Sequence, residues 1–472
     1  MRPESRTESG RGVLPSVTIP PRSPQSAFIH STRTTCPQRS RGGRVPEYHC
    51  IVFAQEERLI ATKRALVTLT SFTLVFLLLI SGALHARSSP KRSGHAARVQ
   101  TGLDVLEAEK FAPLRGKRIG LITNHTGVDS QGRKNIDVLA KSPGVTLVAL
   151  FSPEHGLAGR ADEKVTSTKD PTTSLPVYSL YGDTRRPTDE MLQGIDALVF
   201  DIQDAGVRFY TYTVTMAYCL EEAAKHKISF FVLDRPNPMG GEIVEGPMLD
   251  PDKTSFVAYF PLPVRYGLTI GELAQFFNAE NHIGADLHVI TMRNWHRNYF
   301  FESTGIKWIP PSPALRTAKG SILYPGIEIL QASGVSVGRG TQIPFEQFGA
   351  PWMNGEDVAL ALNARNLPGL RFVSQSFIPV GGPYSGQRCN GVSIRVADRF
   401  AARSLRLGLE IAEILQKLYP KDFDTAKLVG LVGNADTVQQ VQNGVPPEKI
   451  IASWSESLAA FDQVRRKYFL YK

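Results

Sequence analysis

Short apolar runs, rich in β-branched and aromatic residues, recur through the middle of the chain, and stretches with helical periodicity separate them. Each run has the length of a buried strand, and several are bounded by Pro or Gly. Strands that alternate with helices predict right-handed βαβ units around a mostly parallel sheet, so the expected fold class is α/β. The predicted strands are residues 117–123, 145–150, 175–180, 197–200, 229–233 and 287–291.

Polar side chains directly follow four of these predicted strands. Because the carboxyl ends of parallel strands lie along one edge of a sheet, where ligands bind, we expect these side chains to form a pocket. They are Asn124 and His125, Glu154 and His155, Asp201, Gln203 and Asp204, and Asp234, Arg235 and Asn237. Arg208 and Tyr212, at the start of a helix predicted over 207–227, would face the same edge, although an ordinary solvated helix end explains them equally well.

Glu154 is the leading candidate for acid/base chemistry. A carboxylic acid beside a histidine at such an edge suits proton transfer, although a lone Glu there could also cap an element or pair with an arginine. Carboxylates gathered at one edge favour acid/base hydrolysis, of which glycosidic bond cleavage is the best-known form. An exported sugar-binding protein, which would use the same groups only for hydrogen bonds, is the alternative from another class.

Other chemistries have weaker support in the sequence. The first strand leads into Thr-Asn-His-Thr-Gly rather than G-x-G-x-x-G, and no metal-ligand spacing such as CxxC or HExxH occurs, so neither a cofactor nor a metal is expected. Gly334-Val-Ser336-Val-Gly338 has the spacing of a serine esterase elbow, but the residues after it would not begin a helix. Arg339, between two glycines, could approach an anionic substrate, and a glycine-stabilised turn is the alternative.

The net charge of +10 lies in the first hundred residues, which carry 15 Lys+Arg and five Asp+Glu, whereas the rest carries 39 of each sign. The basic balance therefore does not indicate a nucleic-acid partner. Residues 65–84 are uncharged and apolar, follow Lys63 and Arg64, and precede small residues, as in an export signal. We expect a signal peptide over 65–86, or a membrane anchor over 65–84, and a periplasmic or extracellular protein in either case.

The predicted domain organisation has five parts. Residues 1–64 are expected to be a disordered basic tail, or the product of an overlong gene model, and 87–100 a linker. Residues 101–308 form the expected catalytic domain. The Pro-rich segment 308–315 leads into a smaller α/β or α+β domain over 309–472, and the site is expected in the cleft between the two domains.

Several motifs resemble those of the exo-β-N-acetylmuramidase family of peptidoglycan hydrolases, long known as a domain of unknown function. The resemblance covers about residues 101–472. It is carried by SPEHG at 152–156, FDIQDAGVRFYTY at 200–212, LDRPNP at 233–238, EGP at 245–247, YPG at 324–326, GRGT at 338–341, PFE at 344–346, GAPW at 349–352 and RKYFLY at 466–471.

The resemblance implies a Rossmann-like catalytic domain, an auxiliary domain, and release of N-acetylmuramic acid from the non-reducing ends of cell-wall saccharides, with Glu154 as the acid/base. Asp201 and Asp204 are the best-placed second carboxylates, and the acetamido group of the substrate, oriented by an Asp, is the alternative nucleophile. Arg208 or Arg339 would bind the lactyl carboxylate. Retention or inversion of configuration at the anomeric carbon stays open.

Overall fold

A computed structural model describes residues 98–160 and 166–472. The predicted tail, signal or anchor, and nearly all of the linker lie outside these residues and stay predictions. Within the described ranges, no helix combines the length and apolarity needed to cross a membrane.

The strands are β1 (Arg118–Thr123), β2 (Thr146–Ser152), β3 (Thr168–Lys169), β4 (Pro176–Ser179), β5 (Ala197–Asp201), β6 (Ser229–Leu233), β7 (Glu245–Met248), β8 (Pro263–Arg265), β9 (Leu287–Ile290), β10 (Gln347–Ala350), β11 (Leu370–Phe377) and β12 (Cys389–Val396). The helices are α1 (Gly102–Ala108), α2 (Asn135–Ala140), α3 (Asp189–Leu192), α4 (Thr211–His226), α5 (Ile270–Glu280), α6 (Ala318–Ile327), α7 (Gly355–Ala364), α8 (Ser404–Leu418), α9 (Val429–Val432), α10 (Ala435–Gln442), α11 (Pro447–Ser453) and α12 (Ser455–Arg465).

The central sheet has the strand order β3-β4-β2-β1-β5-β6-β9. All neighbouring pairs are parallel except β3 with β4. Counted along the chain, the parallel strands follow the order 3-2-1-4-5-6 of a doubly wound fold, which confirms the predicted mostly parallel α/β architecture. The order reverses between β1 and β5, and ligands of such sheets bind in the crevice at this reversal. Asn124 and Asp201–Asp204 therefore flank that crevice.

The sheet has hydrophobic layers on both faces, which explains why its strands are apolar runs rather than alternating patterns. Along β1, Ile119 and Leu121 belong to one buried cluster, whereas Ile122 belongs to the other. The larger cluster continues through α4 and α5 into the C-terminal half of the chain. This larger cluster includes residues from both sides of the predicted domain boundary at 308/309. The boundary therefore stays a prediction.

The helix predicted over 207–227 begins later than expected, at Thr211. Val207 forms an antiparallel bridge with Arg265, and the Arg208 amide donates to the Val264 carbonyl over 2.9 Å. These residues are therefore extended against the β7–β8 hairpin, which the sequence analysis did not predict. Arg208 precedes the helix and does not lie on its first turn.

The C-terminal half contains the antiparallel sheet β10-β12-β11 and the crossing helices α6 and α8. The helices approach closely at two glycines. A Cβ atom at Gly326 would lie 1.8 Å from the Ser404 carbonyl oxygen, and one at Gly408 would lie 2.4 Å from the Gly326 oxygen. Only a residue without a side chain fits at this crossing.

The last residues of the chain pack on the N-terminal half. The Arg297 guanidinium lies 3.4 Å from the centroid of the Phe469 ring, and the Leu470 amide donates to Glu272 Oε1 over 2.9 Å. The Tyr471 hydroxyl donates to Asp234 Oδ2 over 2.5 Å and accepts from the Met292 amide over 2.9 Å. We call residues 469–472 the C-terminal tail.

Candidate active site

Glu154 lies in a tight turn just beyond the carboxyl end of β2. His155 and Gly156 have φ values of 68° and 70°, and the Gly156 amide donates to the Pro153 carbonyl over 3.0 Å. Glu154 is half-buried. Its Oε2 accepts a hydrogen bond of 2.6 Å from Thr211 Oγ1, on the first residue of α4. The turn after β2 and the first residue of helix α4 thus fix the direction of this carboxyl group.

His125, at the end of β1, packs against the loop that follows Glu154. A Cβ atom at Gly159, where φ is 65°, would lie 1.9 Å from His125 Cε1, so the loop accepts only glycine there. His125 Nε2 donates to the Pro310 carbonyl over 2.7 Å. The segment 308–315, which has no helix or strand as predicted, therefore crosses the strand ends.

Three buried tyrosines stand near Glu154. The Tyr210 ring meets those of Tyr212 and Tyr324 edge-on, at centroid distances of 4.9 and 6.1 Å. Burial raises the pKa of all three hydroxyls, and the Glu154 charge raises each of these pKa values further. The Tyr212 hydroxyl donates to the Pro311 carbonyl over 2.6 Å. These tyrosines form a wall beside Glu154.

The Tyr210 hydroxyl oxygen is buried and makes no hydrogen bond within the described part of the chain. The Ser312 hydroxyl lies close enough to lower the Tyr210 pKa, but outside hydrogen-bond geometry. The charges of Asp204 and Arg339 also act on the Tyr210 pKa. Tyr210 is therefore the common neighbour of the predicted carboxylates and the predicted arginine.

The Arg339 guanidinium, from the C-terminal half, lies close enough to Tyr210 for its charge to lower the Tyr210 pKa. The same guanidinium forms an ion pair with Glu328, and its Nε donates to Gln331 Oε1 over 2.5 Å. Burial raises the pKa of Glu328, and the Arg339 charge opposes that shift. The flanking Gly338 and Gly340 have φ values of 76° and 79°, so this segment forms a glycine-stabilised turn.

Asp201 and Asp204 differ in how their oxygens are engaged. Asp201 is fully buried; its Oδ1 accepts from Arg235 Nε over 2.6 Å and its Oδ2 from Asn135 Nδ2 over 2.8 Å. Asp204 Oδ2 accepts from the Tyr266 hydroxyl and from the Gly206 amide, whereas Asp204 Oδ1 is buried without a hydrogen-bond partner among residues 98–160 and 166–472. Burial raises the Asp204 pKa to about 6.

Three predicted site residues bind the surrounding backbone. Gln203 Nε2 donates to the Asp204 and Pro236 carbonyls over 2.9 and 2.8 Å. Asn237 Nδ2 donates to the Leu268 carbonyl over 2.8 Å. Asp234, whose pKa burial raises to about 7, accepts from the Arg235 and Gly271 amides and from the Thr269 and Tyr471 hydroxyls. These contacts brace the loops that follow β5 and β6.

Arg208 has almost no exposed surface and reaches four carbonyl oxygens. They belong to Pro247, Leu262, Leu431 and Val432, at 3.1, 2.7, 3.1 and 2.6 Å. Burial lowers its pKa to about 9. The guanidinium therefore joins the β7–β8 hairpin to α9, which favours Arg339 over Arg208 as the partner of a substrate carboxylate.

Ser336, in the esterase-like spacing, is buried and lies in an antiparallel bridge with Gly349. An esterase elbow instead exposes its serine at a turn between a strand and a helix, so the local structure does not support that alternative. Within the described ranges, no group of three or more His, Cys, Asp or Glu side chains is arranged to hold a metal ion.

Four residues at the site were not predicted: Thr211, Tyr210 and Tyr324 near Glu154, and Glu328, which forms an ion pair with Arg339. Tyr210 and Thr211 directly precede the predicted Tyr212 in the motif at 200–212, and Tyr324 opens the motif at 324–326. The motifs were therefore available as a signal, but the approach of Tyr324 and Glu328 depends on packing between the two halves.

A cavity of about 650 Å³ lies at the carboxyl ends of β1 and β2, where Ser152, His155 and Gly156, the chain neighbours of Glu154, line it. Asn124, His125, Ser152 and His155 line its inner end. Asn124 lies close to the Tyr212 hydroxyl, whose pKa it lowers, although the pair is outside hydrogen-bond geometry.

Comparison with known proteins gives consistent matches along the chain. Residues 119–319 match the family model for the N-terminal part of exo-beta-N-acetylmuramidase NamZ, and residues 322–471 match that for its C-terminal part. The peptidoglycan beta-N-acetylmuramidase NamZ of Bacillus subtilis (strain 168) is 42% identical over 411 residues, which cover 85% of this chain and 99% of that protein.

Two crystal structures of DUF1343 family proteins from Bacteroides fragilis NCTC 9343 have the same fold. One is 38% identical with a TM-score of 0.75, and the match covers 79% of this chain and 99% of that one. The other is 29% identical with a TM-score of 0.66, and covers 80% of this chain and 99% of that one.

Proposed function

Since the chain belongs to the exo-beta-N-acetylmuramidase NamZ family, we propose that it is a glycoside hydrolase that releases N-acetylmuramic acid from the non-reducing ends of peptidoglycan fragments. The observation that carries the proposal is Glu154 itself. Its carboxyl group lies at the end of a buried strand, is oriented by Thr211, and faces buried tyrosines beside the Arg339–Glu328 pair.

Glu154 supplies the proton in this mechanism. As the bond between the anomeric carbon and the glycosidic oxygen breaks, the Glu154 proton moves to the leaving oxygen. The resulting carboxylate then takes a proton from the water that adds to the anomeric carbon, which restores the acid. The Thr211 hydroxyl holds the carboxyl group in position through both steps.

We assign the second catalytic role to Asp204, together with Tyr210, rather than to Asp201. Both Asp201 oxygens already accept hydrogen bonds, from Arg235 and from Asn135. The unbound Asp204 Oδ1 and the unbound Tyr210 hydroxyl offer an acceptor and a donor. An acetamido group needs that pair, so substrate-assisted catalysis with Asp204 as the orienting group fits them.

Arg339 is our candidate for recognising the lactyl carboxylate that distinguishes muramic acid from glucosamine. Its side chain is 30% exposed, whereas Arg208 is almost fully enclosed. A guanidinium binds a carboxylate through charge-assisted hydrogen bonds. We therefore expect Arg339→Lys to weaken muramide hydrolysis.

The proposal is tested by incubating the full chain with a chromogenic β-N-acetylmuramide and with the matching β-N-acetylglucosaminide. We expect release from the muramide alone, and a loss of roughly a thousandfold or more in kcat for Glu154→Gln with little change in affinity. Glu356→Gln, on the exposed side of α7, is the matched control. An unchanged rate in Glu154→Gln removes Glu154 from the mechanism.

We also propose that the enzyme acts outside the cytoplasm. The support is the apolar segment 65–84 after Lys63 and Arg64, which has the pattern of an export signal. A fusion of residues 1–100 to a reporter that is active only after export tests this. A cytoplasmic reporter would contradict it.

A further inference from the structure

The cavity beside Glu154 is built from polar groups that the fold leaves without partners. Asn124 Nδ2, His125 Nδ1 and Ser152 Oγ are buried, line the cavity, and make no hydrogen bond with any described residue. Asn124 and Ser152 are 3% and 1% exposed. Buried polar atoms without partners are costly, and a polar ligand would offset that cost.

The hydrogen-bonding character of two of these atoms follows from their other contacts. Asn124 Oδ1 accepts from the Thr126 amide and hydroxyl over 2.9 and 2.6 Å, so the remaining Nδ2 is a donor. Burial lowers the His125 pKa, and its Nε2 carries the proton donated to Pro310, so Nδ1 is an acceptor. Ser152 Oγ can serve in either sense. The inner end of the cavity therefore suits a hydroxyl or acetamido group.

The described part of the cavity rim is basic. Lys134, Arg160 and Lys169 are exposed along it, and neither lysine forms an ion pair with a residue in the described ranges. Asp170 also lies there, but its Oδ2 accepts from the Thr172 and Thr173 amides over 3.2 and 2.7 Å and from the Thr173 hydroxyl over 2.7 Å. Among the described lining residues Asp170 is the one carboxylate, and it binds its own turn, so the described part of the rim favours an anion.

We propose that this cavity binds the leaving part of the substrate chain. The sugar next to the scissile bond would place hydroxyl and acetamido groups against Asn124, His125 and Ser152, and the carboxylate of the following muramoyl residue would lie at Lys134 and Lys169. The inference rests on the proposed function, because only cleavage beside Glu154 produces a leaving chain here. It assigns preference for longer saccharides to the basic rim.

The test compares three substrates: the chromogenic muramide, the disaccharide of muramic acid and glucosamine, and the corresponding tetrasaccharide. We expect the wild-type protein to have a kcat/KM about tenfold higher for the tetrasaccharide than for the disaccharide at low salt. In the double variant Lys134→Ala/Lys169→Ala, the ratio of tetrasaccharide to muramide kcat/KM should fall by about the same factor. Lys141→Ala/Lys467→Ala, on exposed lysines away from the cavity, is the control.

Binding of both saccharides to Glu154→Gln gives a readout that does not require turnover. The tetrasaccharide should bind more tightly than the disaccharide, and the two rim substitutions should remove the difference. Equal binding of both, or a preference that survives the substitutions, would overturn the inference. An equal loss on the muramide itself would also overturn it, because the rim would then act on the cleaved sugar. Failure of the proposed function would instead appear as a wild-type protein inactive on the muramide.

Discussion

At the scale of single residues, the site depends on which polar atoms are engaged and which are not. Glu154 receives one hydrogen bond, from Thr211, whereas both oxygens of Asp201 are bound by partners on other elements. Asp204 lies between these cases, with one oxygen bound and one without a partner in the part of the chain that is described. On this basis we propose Glu154 and Asp204 as reacting groups and Asp201 as a bracing group.

Thr211→Val should lower kcat on the muramide by about tenfold with little change in KM, because the change removes the hydroxyl that orients Glu154 but keeps the side-chain shape. Steady-state kinetics measure the split. Thr215→Val is the matched control, since the Thr215 hydroxyl donates only to the Thr211 carbonyl one turn earlier in α4, over 3.2 Å. Equal losses of kcat in both variants would mean that the substitutions act by disturbing helix α4, and not by removing the hydroxyl that orients Glu154.

Asp204 should make stability depend on pH. Its folded pKa of about 6 lies above the ordinary 3.8, so between these values the folded protein holds a proton that the unfolded chain has released. The stabilisation is complete below the unfolded pKa and is lost as the pH rises through the folded one. Relative to Asp204→Asn, the wild type should lose up to about 3 kcal/mol of unfolding free energy between pH 4 and pH 7. Urea denaturation of both proteins at each pH checks this, and parallel pH dependence would contradict it.

At the scale of elements, the closest approach is the crossing of α6 and α8, where Gly326 and Gly408 allow the two backbones to touch. Ser404 fixes the register, because its hydroxyl accepts from the Gly326 amide over 2.8 Å and donates to the Leu323 carbonyl over 2.9 Å. Tyr324, in the tyrosine wall, lies on α6. The crossing therefore positions part of the site.

Gly326→Ala should destabilise the protein by roughly 3 kcal/mol, because its Cβ atom would meet the Ser404 backbone and one of the helices would have to move. Gly430→Ala is the opposite case. Apart from its chain neighbours and the backbone of its own helix, no described atom lies within 4 Å of a Cβ atom there. The residue is also helical, so we expect a gain of roughly 0.5 kcal/mol. Thermal denaturation of the two variants should show shifts of opposite sign.

The accuracy of the sequence predictions differed between elements for physical reasons. The parallel strands were predicted because burial on both faces leaves an uninterrupted apolar run, as in β5 and β6. The predicted start of α4 was wrong, because Val207 and Arg208 pair with residues of the β7–β8 hairpin that lie more than fifty positions later in the chain. Contacts of that kind are not encoded in local periodicity, and the four carbonyl partners of Arg208 could not be inferred from it.

At the scale of the whole molecule, both halves contribute to one site and the chain end returns to the first half. Glu154 and Tyr210 come from the N-terminal half, whereas Arg339 and Tyr324 come from the C-terminal half. The C-terminal tail then contacts Asp234 and Glu272, which support the loops beyond the sheet. The C-terminal half thus contributes twice to the first half, once at the site and once where the tail supports these loops.

Tyr471→Phe should cost about 1–3 kcal/mol of unfolding free energy, because it leaves Asp234 Oδ2 and the Met292 amide each short of a partner in a buried place. Tyr468→Phe removes a hydroxyl that donates to Glu280 Oε1 at a half-buried position, and should cost less than about 0.5 kcal/mol. Chemical denaturation of the pair measures the difference. Equal costs would show that the tail is peripheral to stability.

The position of the C-terminal tail has a consequence for synthesis. A ribosome makes Asp234, Glu272 and Arg297 long before it makes their partners Leu470, Tyr471 and Lys472. The loops of the N-terminal half are therefore fully braced only after residues 470–472 have been translated and have left the ribosome. A chain cut before Leu470 would lack these contacts, so the first half of the muramidase matures only after the second half has been made.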